Sequence, residues 1–286
     1  QTVELWVAIL LGVVQGLTEF LPISSTAHLR IVPALIDKPD PGAAFSAVIQ
    51  IGTLVAVLAY FRRDIFRIGV AWFTETGRGQ IARSHDGRMG WMMIVATLPI
   101  VVLGLAFKDM ITGELRSLYV IAYALIGLAL LLIVAERYVL RRAARGVAAK
   151  TLDDVGWFEA IVVGFAQAVA LVPGASRSGV TITGGLFLGL SRETAARFSF
   201  LLSLPAVFAA GIYELFKERH ELLASTADAT NLLVATVVSG IVGYAAIAAL
   251  LRYLRSRTTY VFVVYRIALG LLLLGLLAAG KIDPMR

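Results

Sequence analysis

The chain has 286 residues, of which 59% are hydrophobic and 16% charged, with a mean hydropathy of +0.84. Soluble domains are roughly half apolar and about a quarter charged, so a water-soluble globule is excluded and a polytopic membrane protein is expected. The formal net charge is +7, but the arginines sit in short stretches between apolar runs and are not interleaved with aromatics, which reads as topology-setting charge and not as a nucleic-acid surface. Without cysteine, disulfides, thiolate catalysis and cysteine metal sites are ruled out as well.

The sequence opens QTVELW, with no initiator methionine. No basic stretch and small-residue cleavage site precedes the first apolar run, so no cleavable signal peptide is expected. Residues 3–34 are apolar at both ends and polar in the middle. Pro22 removes an amide donor and pushes Leu21 out of helical geometry, which predicts helix, break, helix, with Pro33 and the KPDPG stretch at 38–42 ending the segment. Such a segment is expected to be a re-entrant hairpin, its turn shielded inside the membrane by protein or by a water-filled cavity. Residues 43–61 read as a clean span, followed by a long basic loop with Arg62, Arg63, Arg67, Arg78, Arg83 and Arg88. Spans follow at 91–107, with Pro99 as a tolerated kink, and at 118–139. A second basic loop then carries Arg137, Arg141, Arg142, Arg145 and Lys150.

Residues 158–190 resemble the opening segment, being apolar but interrupted by PGASRSGVT at 173–181. Spans are expected at 196–216, 232–251 and 260–279, with Arg252, Arg255 and Arg257 between the last two. The chain thus reads as two similar halves, 1–150 and 151–286, of a single membrane domain. GVVQGLTEFLPISS resembles GFAQAVALVPGAS with glutamine and proline in step allowing one gap, and the spans starting at Phe45 and Tyr119 resemble those starting at Phe198 and Tyr260. The expected fold is all-α: six transmembrane helices plus two re-entrant helical hairpins, arranged as an inverted-topology repeat. With six crossings the three basic loops share one side, which would be cytoplasmic, and both termini lie outside; eight crossings would move the loop with Arg252 to the opposite face.

The chemistry concentrates at the two interruptions. Gln15 and Glu19 are neighbours on one helical face, and Ser24, Ser25, Thr26 and His28 follow within a turn or two. A carboxylate, hydroxyls and an imidazole in a dry pocket are the parts of an activated nucleophile and its acid/base partners. Ionisable groups at membrane depth are costly and usually functional. The blander alternatives are a carboxylate satisfied by helix-end donors, a buried structural histidine, and hydroxyls that cap the second helix. In the second interruption Arg177 stands in a glycine- and hydroxyl-rich turn opening a helix, a setting that presents donors to phosphate. A purely structural Arg177–Glu19 pair is the alternative there. His85 and His220 lie in polar loops and read as solvated.

The stretch Q-x-x-x-E followed by F-L-P-I-S-S-T-A-H, and later P-G-A-S-R-S-G-V-T, resemble the paired signatures of the bacterial undecaprenyl-diphosphate phosphatase family, the integral-membrane type associated with bacitracin resistance. The resemblance covers essentially the whole chain. It departs at Ala27, where the family usually has glycine and where a positive φ would strain alanine, and at Gln15, a permitted alternative to glutamate that weakens a metal site needing two carboxylates. The resemblance implies hydrolysis of the C55 isoprenoid diphosphate to its monophosphate, recycling the lipid carrier of cell-wall precursors outside the cytoplasmic membrane. It also implies Ser25 as nucleophile or nucleophile-positioner, Glu19 and His28 as proton-handling groups, and Arg177 as the diphosphate grip. Ser176, Ser178 and Thr181 would assist Arg177, with Ser24 and Thr26 in the substrate-binding set, and Gln15 with Glu19 would hold Mg2+ or Ca2+. The expected partners are the polyprenyl diphosphate, membrane lipids and a second copy in a homodimer, with no nucleic acid. The expected location is the bacterial cytoplasmic membrane, with the active-site opening on the outer, periplasmic side. A lipid flippase or secondary transporter is the competing expectation, because inverted repeats with broken helices are also the transporter plan; a scaffolding protein is a third.

Overall fold

The computed structural model describes residues 3–284 and is helical throughout, with no named strand among the described residues. The first segment is α1 (Leu5–Phe20), a break, and α2 (Ser25–Leu35). Leu21 is extended (φ −67°, ψ 138°), as the following proline demands. Pro33 does not end α2; it lies within the helix, which stops two residues later.

Next come α3 (Gly42–Tyr60), α4 (Arg62–Gly77), α5 (His85–Ala106), the short α6 (Lys108–Thr112) and α7 (Leu118–Ala144). The stretch after Phe61, read from its arginines as a long loop, is instead largely the helix α4. Its arginines are clustered, but Ile65, Ile68 and Trp72 still recur at helical spacing and Ile68 is buried. The second half runs α8 (Trp157–Ala168), a 3-10 turn at Val169–Leu171, a break, α9 (Arg177–Phe187), α10 (Arg192–Lys217), α11 (Arg219–Leu222), α12 (Thr226–Leu254) and α13 (Tyr260–Ala278). Among the described residues α3, α5, α7, α10, α12 and α13 are long and apolar enough to cross a membrane, so the six expected spans are present and the chain is a multi-pass membrane protein. Pro99 and Pro205 are accommodated inside α5 and α10.

Cross-packing between the halves places the breaks. α1 packs on α12, α8 on α5, α3 on α10 and α7 on α13. Close approach needs glycine at matching points: a Cβ on Gly12 would stand 2.6 Å from Ala235 O, and one on Gly164 would stand 2.5 Å from Ala96 O. Small residues at helix crossings are how apolar helices gain contact when lipid is as oily as their side chains. Gln15 and Gln167, and the capping residues Ser24 and Ser176, keep the same register as these glycines without a gap. It is the two prolines, Pro22 and Pro173, that are one position out of step.

At the end of the bundle bearing the basic connectors, the fully buried Glu136 of α7 ties three helices. It accepts from Arg192 Nε of α10 at 2.8 Å and from Thr259 Oγ1, just before α13, at 2.8 Å. Phe20, next to the first break, packs edge-on against Phe200 of α10 with ring centroids 5.1 Å apart.

Candidate active site

Each break is closed by a serine that caps the following helix. Ser24 Oγ accepts from Ala27 N at 3.3 Å, and Ser176 Oγ accepts from Gly179 N at 3.1 Å. Both cap residues have positive φ, 76° for Ser24 and 70° for Ser176, a region costly for a residue with a Cβ and found where surrounding structure enforces it. Ala27 does not share that strain. It lies in the first turn of α2 at ordinary negative φ, so the expected penalty for alanine in place of glycine does not arise.

The two breaks meet at Glu19. Its Oε2 accepts from Gln15 Nε2 at 2.8 Å and from Ser25 Oγ at 2.7 Å, while its Oε1 pairs with the Arg177 guanidinium. The side chains of Glu19 and Arg177 are 5% and 18% exposed, so the pair is largely withdrawn from solvent. Glu19, Ser24, Ser25, Thr26, Ser176 and Arg177 form the polar end of a cavity of about 490 Å3. Its walls are apolar, with Ile100, Val101, Leu105, Leu171 and Val207 among them. Its far end carries Lys108, paired with Glu214 at 2.7 Å and lying 4.3 Å from the centre of the Tyr213 ring.

Four of the expected residues stand outside that cavity lining. His28 Nδ1 donates to Ser24 O at 2.7 Å, and His28 Nε2 lies 2.6 Å from the Tyr265 hydroxyl, so both ring nitrogens are engaged away from Glu19 and Ser25. Ser178 Oγ donates to Leu21 O at 3.1 Å and thereby ties one break to the other. Thr181 Oγ1 donates to Arg177 O at 2.7 Å and lies 2.6 Å from Ser199 Oγ, a buried link between α9 and α10. Gln15 is fully buried behind Glu19. Its Oε1 has no partner, but Nε2 is the atom turned toward Glu19, so the amide would have to flip for the two residues to offer Mg2+ or Ca2+ a pair of oxygens; such ions need about six, the rest of which diphosphate and water would supply. Among the described residues no cluster of three or more His, Cys, Asp or Glu side chains could hold a metal.

The residue absent from the sequence reading is Arg266, in the middle of α13 and 1% exposed. Its guanidinium donates to carbonyls on three chain segments: Pro22 O at 3.1 Å in the first break, Gly174 O and Ala175 O at 3.1 Å in the second, and Leu125 O at 3.1 Å and Ala124 O at 3.2 Å on α7. The broken backbone leaves carbonyls that lipid cannot satisfy, and one arginine satisfies both sets. A Cβ on Gly179 would lie 2.8 Å from Arg266 Nη1, so the glycine leaves room for this clamp. A lone arginine inside an otherwise apolar helix was the available sign.

The halves are not equivalent. Gln167, in register with Gln15, is fully buried with neither amide atom partnered, because Leu171 stands where Glu19 would be. Only the first break offers a carboxylate, and only the second an arginine. Ser25 beside Glu19 can be deprotonated for attack, and Arg177 can grip an anion held against it.

The family described as bacitracin resistance protein BacA matches residues 8–272. An undecaprenyl-diphosphatase of Chlorobium phaeobacteroides (strain BS1) is 62% identical over 279 residues, covering 98% of this chain and 99% of that protein. One from Prosthecochloris aestuarii is 59% identical over 280 residues, with 98% and 99% covered, and one from Chlorobaculum tepidum is 55% identical over 281 residues, with 98% and 100% covered.

Proposed function

Because the chain belongs to the BacA family of bacitracin resistance proteins, we propose that it hydrolyses undecaprenyl diphosphate to undecaprenyl phosphate and inorganic phosphate. The observation that carries this reading is the Ser25–Glu19–Arg177 chain at the polar end of an apolar-walled cavity. The isoprenoid lies along the apolar walls and the diphosphate reaches Arg177. Ser25 Oγ, losing its proton to Glu19, attacks the terminal phosphorus. The bond from that phosphorus to the bridging oxygen breaks, and the lipid monophosphate leaves, taking the proton from Glu19. Water, deprotonated by the carboxylate so restored, then attacks the phosphorus and frees phosphate from Ser25, whose Oγ takes the proton back from Glu19. Phosphoryl transfer depends chiefly on such positioning and on charge stabilisation. A Mg2+ or Ca2+ ion held by Glu19 and Gln15 Oε1 would supply further neutralisation of the phosphate oxygens.

The same reading takes residues 1–286 as one membrane domain of two inverted halves, with both broken segments re-entrant. At 16 and 11 residues, α1 and α2 are each shorter than the roughly 20 residues a full crossing takes, and so are α8 and α9, at 12 and 11. The shared register of the breaks and the reciprocal packing of α1 on α12 and α8 on α5 support the inverted halves. The basic connectors belong on the cytoplasmic side, which leaves both termini and the cavity mouth outside. A hydroxyl hydrogen-bonded to a carboxylate favours chemistry over passage, so the transporter reading ranks second.

Phosphate release from a polyprenyl diphosphate by purified protein tests the proposal. Arg177→Ala and Ser25→Ala are each expected to abolish it in folded protein, and chelation of divalent cations to depress it. Purified protein that releases no phosphate yet moves labelled lipid across vesicles would establish the transporter instead.

A further inference from the structure

We infer a second ligand site, at the other end of α3 from the cavity, that takes the phosphate of an anionic phospholipid. A recess of about 410 Å3 opens there where α3, α10 and α12 end or begin. Arg62 and Arg63 at the start of α4, Arg197 of α10 and Arg255 just beyond α12 line it, with Asp64 and Glu193 between them. Each carboxylate is already taken: Asp64 by Arg197 at 2.8 Å and Glu193 by Arg255 at 3.0 Å. Arg62 reaches only a backbone carbonyl, Ala59 O at 3.1 Å, and Arg63 has no ion-pair partner among the described residues. Two cations therefore remain for an incoming anion, and the Nε of Arg197 is a buried donor without an acceptor. Guanidinium groups converging from three helices suit the oxygens of a phosphate.

The source of the phosphate follows from what adjoins the recess. Phe61 and Leu251, both buried, form part of its lining. α4 continues from it and is not a span, yet it shows solvent a row of Phe66 (74% exposed), Val70 and Phe73 (71% exposed). These three share a face, with Arg62 one turn before Phe66. Trp72 of this helix meets Trp91 of α5 edge-on, ring centroids 5.6 Å apart, and tryptophans are enriched at a membrane boundary. An apolar row on a helix with arginines at its start is the pattern of a helix lying in the interface plane. A soluble phosphate or nucleotide would leave that row uncovered; a phospholipid covers it with acyl chains while its phosphate enters the recess. The two unpaired arginines select an anionic headgroup over a zwitterionic one. Nothing in this site touches Glu19, Ser25 or Arg177, so it stands whether or not the proposed reaction does.

Native mass spectrometry of the full-length protein, titrated with phosphatidylglycerol or phosphatidylethanolamine, tests the site. Tight binding of phosphatidylglycerol is expected, weakened about 30-fold in Arg62→Ala/Arg63→Ala, or about fivefold for each arginine. Both positions are exposed, so the variant is expected to fold and to keep its phosphate release. Phe66→Ser/Phe73→Ser is expected to weaken binding of the long-chain lipid while leaving the preference for phosphatidylglycerol over phosphatidylethanolamine in place. Equal affinity of the arginine variant and the parent overturns the proposal, as does equal affinity for the two lipids. Displacement of the lipid by millimolar inorganic phosphate would make the recess a site for soluble anions and overturn it too.

Discussion

Ser25 Oγ donates to Glu19 Oε2 at 2.7 Å across the break in the first segment, while the other oxygen of that carboxylate pairs with Arg177 from the second. One carboxylate therefore joins the proposed nucleophile to the proposed anion grip.

Glu19→Gln keeps an oxygen for the Ser25 hydroxyl but cannot take its proton. It also removes the charge that pairs with Arg177. Turnover is expected to fall by about 100- to 10,000-fold, the range for a lost general base, a far larger loss than the folded fraction shows. Steady-state phosphate release measures this, and turnover near the parent's would exclude Glu19 as the base.

Arg266 touches neither Glu19 nor Ser25, but it fixes the distance between the two breaks by holding Pro22 O with one nitrogen and Ala175 O with the same one. Arg266→Lys keeps the charge and loses the fork. Gly179→Ala leaves the guanidinium in place and pushes on it. A misplacement of about 1 Å costs on the order of 100-fold in rate, so both variants are expected to lower kcat by about that factor with KM little altered, because Arg177 still binds. Parallel losses in kcat and folded fraction would reduce Arg266 to a stability residue.

His28 and Tyr265 act as one unit, joined at 2.6 Å with nearly parallel rings. The double variant His28→Gln/Tyr265→Phe is expected to be no slower than the worse of the two single variants, as in a double-mutant cycle with strong coupling. Additive losses in phosphate release would show that the histidine does its work elsewhere.

Glu136→Ala strands Arg192 and removes the acceptor of Thr259 at the basic end of the bundle. Breaking a buried ion pair costs roughly 3 to 5 kcal/mol, and the lower figure applies because Arg192 remains partly solvated. Unfolding in detergent should show this loss while the folded fraction keeps its rate per molecule.

The spans were legible because each lies in a helix of 19 to 29 residues with an apolar stretch long enough to cross, and such a stretch has one solution in lipid. The breaks were legible from Pro22 and from polar residues that lipid would not tolerate. α4 was not, since its arginines masked an apolar row that points outward. In the site, Gln15 and Glu19 could be grouped by helical spacing, Ser25 by its nearness in sequence, and Arg177 by its turn. Spacing alone could not tell that His28 and Thr181 turn toward Tyr265 and Ser199, because those partners come from distant helices. Arg266 was hidden by the same cause, its six hydrogen bonds all running to backbone that no sequence pattern marks.

In the proposed mechanism the pairing of Glu19 with Arg177 lets binding and reaction share one contact. The guanidinium meant for the diphosphate lies on the carboxylate that accepts from Ser25, so a phosphate that engages Arg177 is brought directly beside the nucleophile. A diphosphate, carrying more negative charge than one carboxylate, would compete for Arg177, and the arrival of the lipid and its alignment for attack would be a single event.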